Sequence, residues 1–160
     1  MDMAMKSITD LAAQIEQKGV RFYKNMAAAA DDDKIKKVFL FLADQEQEHA
    51  DAFTRIGQEM SSKDEIYGFA GRLKVNIENL ANMFRKEAMD NIGLADAKMT
   101  MGEAVDIAIE LEERAIKLYG RIIELMPEDL KGNIEVVSRL REEEIGHRDM
   151  LTRVKNSAKL

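Results

Sequence analysis

The chain has 160 residues, 46% hydrophobic and 34% charged, which is the size and balance of one soluble globular domain with a real core. A net charge of −6 with no Lys/Arg block argues against a nucleic-acid partner, and no apolar run reaches the roughly 20 residues that span a bilayer. Cysteine is absent, which excludes disulfides, a thiol nucleophile, iron–sulfur clusters and Cys-type zinc sites; any redox or metal chemistry must use oxygen and nitrogen donors.

The opening segment, MDMAMKSITD, has no apolar signal core and no cleavage site, so a cytoplasmic location is expected. A single proline and an abundance of Ala, Leu, Glu, Lys and Met favour helices. The first helix is predicted over residues 7–30, with Ser7 and Asp10 as a capping pair. Its apolar stripe is Ile8, Ala12, Ile15, Gly19, Phe22, Tyr23 and Met26, with Glu16 in the middle. The second helix follows the acidic cap at 31–33 and runs to about Met60. Its stripe, from Ile35 through Phe39 and Leu42 to Phe53 and Ile56, contains Glu46 and His49.

A long connection follows. Within it Leu73, Ile77, Leu80 and Phe84 fall on one face and predict a separate crossover helix; residues 91–100 read as a loop. Thr100 and Glu103 form a capping box for a helix that runs to about Met126. Its stripe is Met101, Val105, Ala108, Ile109, Ala115, Ile116 and Tyr119, with Glu112 inside it. Pro127, Glu128 and Asp129 signal the start of the last helix, whose stripe is Ile134, Val137, Leu140, Leu151 and Val154, interrupted by Glu144 and His147.

The chain also repeats itself. IEQKGVRFY at 15–23 matches LEERAIKLY at 111–119, each with Glu-x6-Tyr, and each is followed by a Glu-x-x-His helix. The order is helix pair, crossover, helix pair. The expected fold is therefore an all-α four-helix bundle with one long connection that holds an additional helix, in one domain covering 1–160.

Glu46 and His49, like Glu144 and His147, stand three residues apart and project from one helix face. Glu16 and Glu112 sit in the centre of their own apolar stripes. Four carboxylates in one interior repel one another unless they are protonated or matched by cations, and two divalent ions supply the matching charge. Glu16, Glu46, His49, Glu112, Glu144 and His147 are thus the predicted metal ligands, and their donor set suits iron, manganese or a mixed pair. Tyr23 and Tyr119, two turns from their glutamates on the same face, are placed to hydrogen-bond a ligand carboxylate, or else are aromatic core residues. Of the run Glu142, Glu143 and Glu144, only Glu144 shares the face of His147, so the other two are expected to be solvated.

With these residues in view, the chain resembles a rubrerythrin-type member of the ferritin-like superfamily over nearly its whole length, most closely in ADQEQEHA at 43–50. The resemblance implies Glu16 and Glu112 as terminal ligands, Glu46 and Glu144 as bridges, and one histidine on each ion. It implies a di-iron oxidoreductase that reacts with hydrogen peroxide or dioxygen, and a homodimer. Full-length rubrerythrins carry a rubredoxin domain with four cysteines; these 160 residues contain none, so electrons would come from a separate, rubredoxin-like donor. Rubrerythrins also carry an extra glutamate one turn after the third-helix ligand. Here that position is Ala115, matched by Gly19 in the first half, and small residues there would leave room for the oxidant.

Two other functions fit parts of the pattern. A bacterioferritin-type ferroxidase and iron store also uses two Glu-x-x-His motifs, but Gln47 stands where the haem-binding cages have methionine. A metal-free bundle that binds a partner protein would have its four glutamates exposed or paired with Lys and Arg, and no basic residue lies on the stripes.

Overall fold

The computed structural model describes residues 3–61, 99–126 and 128–160. Those residues form four α-helices and one 3-10 turn: α1 (Met3–Ala29), α2 (Asp33–Ser61), α3 (Met101–Leu125), the turn Glu128–Leu130 and α4 (Lys131–Ala158). The crossover helix expected around Leu73–Phe84 lies outside the described residues.

Local chemistry explains most of the boundaries. Asp32 accepts hydrogen bonds from the Lys34 and Ile35 amides at 2.7 and 3.1 Å, so the second aspartate of the acidic run caps α2. Thr100 and Glu103 close the expected capping box, with Glu103 N–H donating to Thr100 Oγ1 at 3.2 Å and Thr100 N–H donating to Glu103 Oε2 at 2.8 Å. Two expectations are corrected. Ser7 lies inside α1 and is no cap, because Met3, Ala4, Met5 and Lys6 are good helix formers and extend the helix backwards. Glu128 and Asp129 open a 3-10 turn, and α4 begins only at Lys131, with no side-chain cap.

α1 packs along α2 and α3 along α4, so the molecule is two helical hairpins face to face. Two apolar layers run across all four helices. One layer contains Ile8, Phe53, Ile56, Leu118, Tyr119 and Val137; the other contains Phe22, Tyr23, Phe39, Leu42, Val105 and Leu151. α1 and α4 run from the first layer to the second, whereas α2 and α3 run from the second to the first. α2 therefore ends in one layer and α3 begins in the other, at opposite ends of the bundle. That is the crossover topology the repeat predicts.

The polar interruptions of the four stripes fall between the layers. The ligand candidates are also in register with the hairpin bends. Glu16 lies 13 residues before the end of α1, and Glu46 lies 13 residues after the start of α2. Glu112 and Glu144 hold the same positions, 13 residues from the end of α3 and the start of α4. The bends differ: residues 30–32 join the first pair and residues 126–130 the second. Among the described residues, no helix is long and apolar enough to cross a membrane.

Candidate metal centre

Six polar side chains fill the space between the apolar layers: Glu16, Glu46, His49, Glu112, Glu144 and His147, none more than 5% exposed. They fall into two groups of four whose candidate ligand atoms all lie within 4.8 Å of one another. One group is Glu16, Glu46, His49 and Glu144; the other is Glu46, Glu112, Glu144 and His147. Glu46 and Glu144 belong to both. Glu16 with His49 is confined to the first group and Glu112 with His147 to the second.

Glu144 is the hub. Its Oε1 lies 2.8 Å from His49 Nδ1 and its Oε2 lies 3.0 Å from His147 Nδ1. The two imidazoles stack, with centroids 5.6 Å apart and planes at 20°. Each histidine thus turns Nδ1 inward. Burial opposes ionisation of Glu144, but the hydrogen bonds from His147 and His49 outweigh it and hold this carboxyl below the usual range. Burial also opposes the charge on His49, yet Glu144 at hydrogen-bond distance pushes its pKa up to about 9.

The remaining carboxyls respond in the opposite direction. Burial, and then the charges of Glu144, Glu16 and Glu112, push Glu46 well above the ordinary carboxylate range. Burial and Glu144 do the same to Glu112, and burial raises Glu16. Two buried oxygens, Glu16 Oε2 and Glu46 Oε1, have no hydrogen-bond partner among the described residues. Such groups cost about 1–3 kcal/mol each when left unmet. Both residues sit in the Glu16–His49 group, so the unmet oxygens belong to side chains already gathered as a cation would need them. Carboxylate and imidazole donors of this kind suit iron and manganese.

The tyrosines are placed by helix geometry. Tyr23 donates to Glu112 Oε1, and Tyr119 donates to Glu16 Oε1. Each hydroxyl reaches the glutamate of the other half. Side chains on a helix lean toward its N-terminus. α1 and α3 are antiparallel, so Glu16 leans toward the layer that holds Tyr119, and Glu112 toward the layer that holds Tyr23. Both rings are buried core residues as well: Tyr119 packs 4.9 Å from Phe53, and Tyr23 stacks 6.0 Å from Phe39. Burial and then the nearest carboxylate, Glu112 for Tyr23 and Glu16 for Tyr119, raise both phenols well above their normal value, so both stay protonated donors.

Gly19 and Ala115 border a small cavity of about 30 Å³, room enough for a water-sized molecule, together with Glu16, Glu46, Tyr23 and Glu112. Gly19 has a second role. A Cβ there would stand 3.0 Å from Glu46 Oε2 and 3.2 Å from its Cγ, so the missing side chain is what lets Glu46 lie against α1. Glu110 and Glu113 are exposed and point away from the centre.

Glu143 is a correction. It is not merely solvated: its Oε2 lies 3.1 Å from His49 Nε2, while its Oε1 is 3.8 Å from Arg139. The stripe could not reveal this, because Glu143 stands about 100° around α4 from Glu144 and meets His49 only through the packing of α4 on α2. Gln47 is an outer group: it accepts from Gln17 on α1 at 3.1 Å and donates to Asp51 at 3.0 Å. The ion pairs formed by the four central glutamates, among the described residues, are with histidines; none is with Lys or Arg. That is not the arrangement expected of a metal-free partner-binding bundle.

The model of the Rubrerythrin family matches residues 8–153. The chain belongs to the rubrerythrin family. Its all-α bundle is accordingly ferritin-like, a family fold in which di-iron carboxylate centres occur. No curated protein and no solved structure matches the chain. Within this rubrerythrin-family bundle the Glu/His cluster is suited to a metal, and every buried carboxylate or imidazole of the four central stripes takes part in it.

Proposed function

We propose that the protein is a di-iron oxidoreductase that reduces hydrogen peroxide or reacts with dioxygen, and so protects against oxidative stress. The observation that carries this reading is the pair of overlapping four-residue groups with Glu46 and Glu144 in common. Glu16 and His49 would hold one ion, Glu112 and His147 the other, and the two common carboxylates both. Two ferrous ions supply two electrons, which with two protons reduce one hydrogen peroxide to two waters. Manganese or a mixed pair would suit the same donors.

The chain's own residues do the rest. Tyr119 and Tyr23 each hold one oxygen of Glu16 and Glu112, leaving the other oxygen for the metal side. Burial favours the protonated forms of Glu46 and Glu112 in the metal-free centre, and binding of cations would release those protons. The apolar layers above and below exclude water and strengthen every charge interaction between them. The cavity beside Gly19 and Ala115 offers a small oxidant a place against the carboxylates. The same reading makes the protein a cytoplasmic homodimer supplied by a separate rubredoxin-like electron donor. The neighbouring exposed side chains Leu40 and Phe41 on α2 are apolar surface available for such a contact.

Metal analysis followed by anaerobic titration with ferrous iron tests the proposal. Two ions per chain should bind, and one equivalent of peroxide should then be consumed per pair. Fewer than two ions, or no reaction with either oxidant, would sink it. Size-exclusion chromatography separates this reading from iron storage: a dimer favours it, and a particle of twenty-odd subunits favours the bacterioferritin type.

A further inference from the structure

The internal repeat makes the centre nearly symmetric, so the places where symmetry fails are informative. Glu46 and His49 correspond to Glu144 and His147 at a shift of 98 residues. The same shift carries Glu143 onto Gln45. One half therefore has a carboxylate where the other has a neutral amide.

The difference acts on the outer face of the histidines. His49 turns Nδ1 toward Glu144 and Glu16, at 2.8 and 3.9 Å, and its Nε2 meets Glu143 at 3.1 Å. His147 also turns Nδ1 toward Glu144, at 3.0 Å. Among the described residues no group hydrogen-bonds to its Nε2. On its other side the half-exposed ring of Phe41 stands edge-on to it at 6.1 Å. His49 alone is gripped at both nitrogens.

A histidine that ligates through one nitrogen must carry its proton on the other. A carboxylate accepting that proton fixes the tautomer, fixes the ring plane and strengthens the donor; loss of such a partner typically costs 10–100-fold in metal affinity. We infer that Glu143 is a positioning residue for His49 and makes the two metal positions unequal, the His49 position being the tighter. The inference rests on the two-metal reading above. Arg139, 3.8 Å from Glu143 Oε1, steadies the carboxylate from the solvent side.

Calorimetric titration of the metal-free protein with cobalt(II) tests this, with Glu142→Gln as the control for loss of one exposed negative charge on α4. The wild type should bind in two resolved steps. Glu143→Ala should weaken the tighter step 10–100-fold and leave the weaker one within twofold. Glu143→Gln keeps an acceptor oxygen of the same reach and should recover part of the loss. Glu142→Gln should change neither step, and Gln45→Glu should tighten the weaker step. A spectroscopic readout accompanies the affinities. In the zinc-loaded protein the His49 Nε2–H proton should be protected from exchange, and Glu143→Ala should abolish that protection while leaving the His147 signal unchanged. Two equal steps in the wild type, or equal weakening of both steps by Glu143→Ala, would overturn the inference while leaving the two-metal reading intact. Failure of the wild type to bind two ions would overturn both.

Discussion

Tyr119 on α3 donates its hydroxyl to Glu16 on α1, 103 residues away, and so ties one half of the repeat to the other at the centre of the bundle. Tyr23 makes the reciprocal bond to Glu112. Tyr119→Phe and Tyr23→Phe remove these donors with almost no change of shape, leaving one more buried carboxyl oxygen unmet in each case. Each should cost about 1–3 kcal/mol of stability, or a fall in Tm of roughly 2–12 °C for a chain of this size. Thermal melts of the metal-free variants check this; unchanged melting would mean that the bonds contribute nothing.

The overlap of the two four-residue groups predicts unequal consequences for similar substitutions. Glu46→Gln removes a carboxylate common to both and should reduce binding to fewer than two ions through effects on both positions. Glu16→Gln should weaken only the His49 position. In the metal-free protein Glu46→Gln should be well tolerated, because burial already favours the neutral form of that carboxyl and the amide has the same shape. Equilibrium dialysis and melting curves of the two variants provide the comparison.

Stability of the metal-free protein should fall as pH rises. Glu46 and Glu112 have folded pKa values above their unfolded ones, so the folded chain holds more protons and loses stability as pH climbs above about 4.5. His49 acts in the same direction: its contribution is full below about 6.5 and is lost as pH passes about 9. Glu144 acts oppositely, contributing above about 4.5 and losing that contribution in acid. Melting of the metal-free chain should therefore decline between about pH 6 and 9. Ligands bind metal only when deprotonated, so the loaded protein should gain over the metal-free one across the same interval. A gap that narrows toward alkaline pH would contradict this charge assignment.

Chelation should lower the melting temperature in a concentration-dependent way. A ligand present at 100 times its dissociation constant adds about 2.7 kcal/mol to the folded state. Return of manganese(II) or iron(II) should restore the difference, and magnesium, which prefers all-oxygen octahedral sites, should not.

Gly19 and Ala115 flank one small cavity but should answer differently to added bulk. Gly19→Ala places a methyl 3.0 Å from Glu46 Oε2 and should disturb metal binding itself. Ala115→Leu fills the cavity and should slow oxidation by peroxide or dioxygen while metal stoichiometry holds at two. Stopped-flow oxidation of iron-loaded Ala115→Leu at wild-type speed would show that the oxidant does not use this space.

Much of this was legible in the sequence because helical periodicity and the ligand motif report on the same face. Glu16, Glu46, Glu112 and Glu144 interrupt apolar stripes, and only an interior reading explains them. The pairing of Tyr23 with Glu112, across the halves, needed the antiparallel course of α1 and α3; the lean of side chains toward helix N-termini then decides it. Glu143 was hidden for a different reason. Its contact with His49 depends on how α4 lies against α2, and nothing in the periodicity of α4 reports that. Ser7 misled because capping residues also occur inside helices when the preceding residues are strong helix formers.

The unequal hairpin bends carry a practical consequence. The span from Glu16 to Glu46 is two residues shorter than that from Glu112 to Glu144, yet each of these glutamates keeps the same count to its own helix end. The surplus is spent wholly in the stretch 126–130, where the 3-10 turn takes it up. Length at that corner is thus decoupled from the chemistry about 20 Å away along the helices. A spacer or reporter peptide grafted there should leave the centre's geometry untouched, whereas a single residue added inside any of the four helices would rotate a ligand out of the interior.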